Sequence, residues 1–133
     1  MPRGILGPGA YEMVGVEAKK LNFKRSLLGT SGLRGTGIVE DVMGKIKYQG
    51  IDVVLYDKIE SNPKDYNCME MADLYTKEKC DSFISVGGGS VTDAVKGARI
   101  VVAHDGRNIN EFDGFNMSEN PDNPPHIAIN TPA

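Results

Sequence analysis

The chain has 133 residues, 40% hydrophobic and 25% charged, with a formal net charge of -3, enough material for a single globular core. This slightly acidic balance and the lack of basic runs argue against nucleic acid or an anionic membrane surface as a partner. No apolar stretch approaches a bilayer span and the N-terminus has no apolar signal region, so a cytoplasmic location is expected.

In chain order, GILGPGA (residues 4–10) reads as a turn-rich lead into a helix over residues 11–21. Met13, Val16, Ala18 and Leu21 form that helix's stripe, which Gly15 weakens. Residues 26–30 read as a short apolar strand that ends in a loop containing Gly29, Gly32, Gly35 and Gly37. A second helix follows, with Ile38, Val42 and Ile46 at a spacing of four and Gly50 as its stop. IDVVLYD (51–57) is a buried strand. In ESNPKDYN, Ser61 or Asn62 can cap a third helix, and Pro63 suits the first helical position because its missing donor is not needed there. That helix runs to about residue 79, with Met69, Ala72 and Tyr75 inward. SFISV (82–86) is a third strand and feeds a glycine-led helix; HIAIN (126–130) is a fourth strand after the polar NMSENPDNPP.

Continuous apolar strands alternating with helices imply a doubly wound α/β fold, a mostly parallel sheet with helices on both faces. Such sheets bind ligands beyond the carboxyl ends of their strands. Those ends are residues 30–37, 57–63, 87–90 and 130 onward, where the glycine-rich and polar turns gather.

The turn after the third strand carries the most chemical information. Gly87, Gly88 and Gly89 have no Cβ, so their backbone can adopt positive φ and let a ligand come close. The helix they open presents its first N–H groups and its positive dipole end to whatever lies above, which favours an anion. Ser90 can cap that helix and offer a hydroxyl to a phosphate oxygen. Asp93, assigned to the first turn, would repel a phosphate at contact range, so it suits a backbone N–H, a ribose hydroxyl or a cation. The stretch is not GxGxxG, because Thr92 stands where the third glycine would fall, and no Walker A loop is present. On the residues alone, phosphate or pyrophosphate binding and a tight structural turn both remain open. Cys68 and Cys80 form neither a CxxC pair nor a metal knuckle and read as reduced thiols. His104 and His126 have no partner at helical spacing and read as structural.

GGGSVTDAVKGA, then DGRNINEFDG and PPHIAINT, resembles the iron-containing (group III) alcohol dehydrogenase family, and SNPKDYN matches that family's Asn-Pro turn. GVEAKKLNFKR, YQGIDVVLYDKIESNPKDYN, YTKEKCDS and AHDGRNINEF are similar to its nicotinoprotein methanol dehydrogenases, which hold their cofactor tightly and accept a nitrosoaniline as artificial oxidant. The resemblance covers essentially the whole chain. It implies a Rossmann-like N-terminal half in which Gly87, Gly88, Gly89 and Ser90 line the cofactor pyrophosphate and Asp93 supports them. Asn62, Pro63 and Thr131 match further cofactor-side positions, whereas Pro132 replaces a second family threonine and has neither hydroxyl nor N–H to offer. Many relatives end the first strand in Thr-Asp, whose carboxylate accepts from the adenine ribose 2′-hydroxyl. Here Thr30 is followed by Ser31, and Arg34 can supply a cation, which implies NADP(H) in preference to NAD(H).

The parent enzyme implied by the resemblance moves hydride from a small primary alcohol to the nicotinamide dinucleotide. A divalent metal, held by an aspartate and three histidines of a helical C-terminal domain, stabilises the alkoxide. Those ligands have no counterpart among these residues, so residues 1–133 are expected to be a single dinucleotide-binding domain with no catalytic or metal-ligating residue, inactive alone. The parent is expected to be a homo-oligomer. The alternatives are half of a glycerol-dehydrogenase or dehydroquinate-synthase-like enzyme, or a stand-alone flavodoxin-like module that binds a phosphate or nucleotide.

Overall fold

The computed structural model describes residues 3–6, 13–31, 37–60, 65–103 and 124–130. Their elements are β1 (Arg3–Leu6), α1 (Val14–Lys20), β2 (Arg25–Thr30), α2 (Ile38–Tyr48), β3 (Asp52–Tyr56), α3 (Asp65–Lys77), β4 (Ser82–Gly87), α4 (Gly89–Ala103) and β5 (His126–Asn130). The strands form one parallel sheet in the order β1-β5-β4-β2-β3.

Pleat periodicity divides the core into two layers. Leu28, Ile84, Val86, Ile127 and Ile129 meet Val14 and Ala18 of α1 and Val39, Val42 and Ile46 of α2. On the opposite face Leu27 and Phe83 meet Met71 and Tyr75 of α3 and Val91, Ala94, Val95 and Ala98 of α4. Tyr75 and Phe83 stack with ring centroids 4.5 Å apart. The expected doubly wound architecture is therefore present, with helices on both faces.

Two local readings are corrected. Part of the turn-rich lead is strand β1, which pairs with β5 from Arg3↔Ile127 to Leu6↔Asn130. Four residues are too few to declare a period, and the partner strand lies more than a hundred positions away. In α1 the inward residues are Val14, Gly15 and Ala18, whereas Met13 is 55% exposed and Val16 and Leu21 are each 36% exposed. Gly15 turns the helix this way. A Cβ there would lie 2.4 Å from the Lys45 carbonyl oxygen, so glycine permits α1 to cross close over α2.

The connections put a topological switch at the centre of the sheet. From β2 the chain moves outward through α2 to β3; from β3 it returns across β2, through α3, to β4 and then β5. The direction of winding thus reverses between β2 and β4, and it is beyond the carboxyl ends at such a reversal that wound sheets bind ligands. At the opposite, amino edge the Asp81 carboxylate accepts from the Lys24 N–H at 2.9 Å, and the Asp81 N–H donates to the Arg25 carbonyl at 2.8 Å. These bonds lock the start of β2 to β4.

Candidate functional site

Strand β4 runs into α4 through residue 87, where φ is +153°. A Cβ at Gly87 would sit 2.7 Å from Val91 Cγ2, so both backbone angle and space require glycine. The Gly88 carbonyl accepts from the N–H groups of Val91 at 3.1 Å and Thr92 at 3.2 Å. The N–H groups of Gly89 and Ser90 precede this first helical bond, at the positive end of a 15-residue helix. Among the described residues nothing lies within 4 Å of a Cβ built on Gly89, so they leave the backbone approachable there. Gly88 and Ser90 are half-buried and Gly89 is exposed.

Asp93 belongs to the second turn and not the first. The first turn of α4 has no acidic residue, and Asp93 is exposed. The helix starts at Gly89 instead of after a capping Ser90, and this moves Asp93 away from the dipole end. An acid-free first turn over an open glycine backbone fits a phosphate group.

Neighbouring strands frame the turn. Asn130 pairs with Gly87 in register, and Thr30 pairs with Val86. The Thr92 hydroxyl lies 3.4 Å from both the Gly88 carbonyl and Asn130 Oδ1, tying the start of α4 to the end of β5. Thr30 is fully buried, and its hydroxyl has no hydrogen-bond partner among the described residues. Its carbonyl accepts the Ile59 N–H at 3.2 Å, which lays the segment after β3 across the end of β2. Thr30, Thr92 and Asn130 were not singled out as site residues from sequence. The available signal was a polar residue closing an otherwise apolar strand.

Ser31 is exposed at the end of β2, two strands from Asn130. Arg34, Asn62, Pro63, Thr131 and His104 lie outside the described residues. The structure therefore brings Gly87, Gly88, Gly89 and Ser90 together at the switch point, sets Ser31 on the same edge and places Asp93 in the second turn of α4.

Below the turn, His126 begins β5 and is fully buried; its Nε2 lies 2.7 Å from the Ser85 hydroxyl. Burial, then the Arg99 and Lys96 charges, lower its pKa to about 3, so the ring is neutral. Cys68 and Cys80 are free thiols, and burial pushes the Cys80 thiol up to about 11, away from nucleophilic chemistry. Among the described residues no group of three or more His, Cys, Asp or Glu is placed to hold a metal. What the edge can do chemically is bind an anion and orient what is attached to it.

Comparison with known proteins agrees with this geometry. The family profile described as iron-containing alcohol dehydrogenase matches residues 2–133. The chain belongs to the iron-containing alcohol dehydrogenase family. Within it, the chain is 68% identical over 132 residues to the methanol:N,N-dimethyl-4-nitrosoaniline oxidoreductase of Rhodococcus erythropolis, covering 99% of this chain and 31% of that protein. Its identity to the NAD-dependent methanol dehydrogenase of Bacillus methanolicus is 37%, over 99% of this chain and 34% of that protein. A crystal structure of 1,3-propanediol oxidoreductase superposes with a TM-score of 0.87 at 36% identity, covering 98% of this chain and 34% of that one. The chain thus spans about a third of the length of these family members.

Proposed function

We propose that this chain is the nicotinamide-dinucleotide-binding part of a methanol-type alcohol dehydrogenase. The cofactor pyrophosphate rests on the backbone of Gly87, Gly88 and Gly89 and on Ser90. The observation that carries this reading is the glycine-only turn at residue 87 beneath the acid-free start of α4. It supplies N–H donors, a dipole and open space at the one place where the winding of the sheet reverses. The similarity to methanol oxidoreductases supports the alcohol class.

Within the whole enzyme, a bound nicotinamide dinucleotide would supply the hydride acceptor for a small primary alcohol, and a divalent metal would supply stabilisation of the alkoxide. The described residues of this chain bind and orient the dinucleotide and offer no three-ligand metal cluster. Accordingly, residues 1–133 act as one dinucleotide-binding domain that binds cofactor and does not turn over alcohol alone, while metal, alcohol and homo-oligomeric assembly belong to the whole protein. Thr131 and the Asn62-Pro63 turn complete the cofactor contacts. Ser31 at the end of β2 carries no negative charge, and with Arg34 this supports NADP(H) over NAD(H). No described helix is long and apolar enough to cross a membrane, and we assign the enzyme to the cytoplasm.

Fluorescence titration with NADPH and NADH tests the reading. The chain should bind both, NADPH more tightly, and Gly88→Asp should abolish binding by placing a Cβ and a negative charge beneath the pyrophosphate. Unchanged affinity in a folded Gly88→Asp protein rules out the site. Equal or tighter NADH binding rules out the NADP(H) preference alone.

A further inference from the structure

We infer that Asn67 is a positioning residue for the adenosine half of the dinucleotide, an assignment that rests on the cofactor reading above. Asn67 stands in the first turn of α3 and is fully buried. Its side-chain amide donates to the Lys58 carbonyl at 3.2 Å and lies 3.2 Å from the Tyr56 hydroxyl. The Tyr56 hydroxyl in turn donates to Glu70 Oε1 at 2.5 Å. On the other side of that same peptide, the Ile59 N–H donates to the Thr30 carbonyl at 3.2 Å, and the Ile59 side chain is buried against the α3–α4 layer.

Residues 57–60 are therefore fixed at both sides: to α3 through Asn67 and to β2 through Ile59. They cross the carboxyl end of β2 beside Ser31. From the glycine turn on β4 to the end of β3 is two strand spacings, about 10 Å. A dinucleotide with its pyrophosphate on the turn sends one half across this segment. The Asn67 amide holds the carbonyl of the Lys58–Ile59 peptide, and the Tyr56 hydroxyl bonds to Asn67 and Glu70. Asn67 thus acts on the ligand through the backbone of Lys58 and Ile59, and Tyr56 with Glu70 only holds the amide.

Calorimetric titration of the chain with NADPH, ADP and inorganic pyrophosphate tests the assignment. Asn67→Asp replaces the donor with a carboxylate facing the Lys58 carbonyl. It should weaken NADPH and ADP about tenfold, the scale of one to two lost hydrogen bonds, while leaving pyrophosphate affinity unchanged. Tyr56→Phe keeps the Asn67–Lys58 bond, so it should lower the melting temperature without altering the ratio of ADP to pyrophosphate affinity. If Asn67→Asp lowers the melting temperature but leaves that ratio at the wild-type value, Asn67 is structural only and the assignment is overturned. Should that variant not fold, amide exchange in NADPH-saturated wild type decides. Ile59 exchanging as slowly as the β2 amides supports the anchor, and fast exchange there overturns it. A wild-type chain that binds neither pyrophosphate nor NADPH defeats the cofactor reading and the anchor together. Wild-type pyrophosphate binding together with NADPH and ADP affinities that do not change in Asn67→Asp defeats the anchor alone.

Discussion

Glycines at two positions show how much a single Cβ matters in this chain, and they predict opposite effects. At Gly15 the added carbon would stand 2.4 Å from the Lys45 carbonyl oxygen, backbone that moves only if the helix pair separates. Gly15→Ala should therefore destabilise by about 2 kcal/mol, the usual scale of overpacking. At Gly44, exposed in the middle of α2, the same carbon meets nothing within 4 Å. Gly44→Ala should stabilise by roughly 0.5–1 kcal/mol, because alanine loses less backbone entropy in a helix. Urea unfolding of the two variants checks both signs, and a stabilising Gly15→Ala would contradict the close crossing of α1 over α2. The three consecutive glycines after β4 were legible in sequence because they interrupt an apolar strand. The importance of Gly15 was not, since an isolated helical glycine looks like a weakness until the packed partner is known. The turn of α4 that holds Asp93 was misread for a similar reason: the exact start of a helix is not marked in the sequence.

Between elements, His126 joins β5 to β4 beneath α4 and makes their packing sensitive to pH. Its ring is buried neutral, bonded through Nε2 to Ser85, with Arg99 and Lys96 of α4 as the nearby charges. The pKa falls from 6.5 to about 3 on folding. Unfolded chains thus bind a proton that folded chains refuse, and stability contributed by the neutral ring is complete above pH 6.5. It declines as pH falls from 6.5 towards 3. At pH 5 the loss amounts to about 2 kcal/mol. Denaturant titrations between pH 7.5 and pH 5 should show that slope, and His126→Gln should flatten it. An identical slope in the variant would assign the pH effect to other groups. Strands β2, β4 and β5 were readable because each is an unbroken apolar run. The Ser85–His126 bond was not, because it depends on β4 and β5 being neighbours in register, and the two residues are 41 positions apart. β1 escaped for the same cause, a short strand whose only reason to be extended is β5.

For the whole molecule, alternation of strand and helix announced a wound sheet, but the order β1-β5-β4-β2-β3 is a property of long-range pairing. On the proposed reading that order places the site: it puts the β2 and β4 ends side by side and makes the anion seat part of a dinucleotide cleft. In that reading a dinucleotide would reach the end of β2, the glycine turn and the end of β5, and so would bridge elements whose relative positions otherwise depend on the sheet alone. Binding to the folded state only must then add to global stability by mass action. NADPH at a hundred times its dissociation constant should raise the unfolding free energy by about 2.7 kcal/mol. Inorganic pyrophosphate occupies the turn without crossing to β2 and, at the same concentration, should raise it less, since its affinity lacks the nucleoside contacts. Thermal or urea unfolding of the chain with each ligand, at matched ionic strength, makes the comparison. Equal stabilisation by the two would mean that the turn alone captures the phosphate and that the flanking strand ends do not participate. In that case the cleft would be a feature of the fold and not of the binding site.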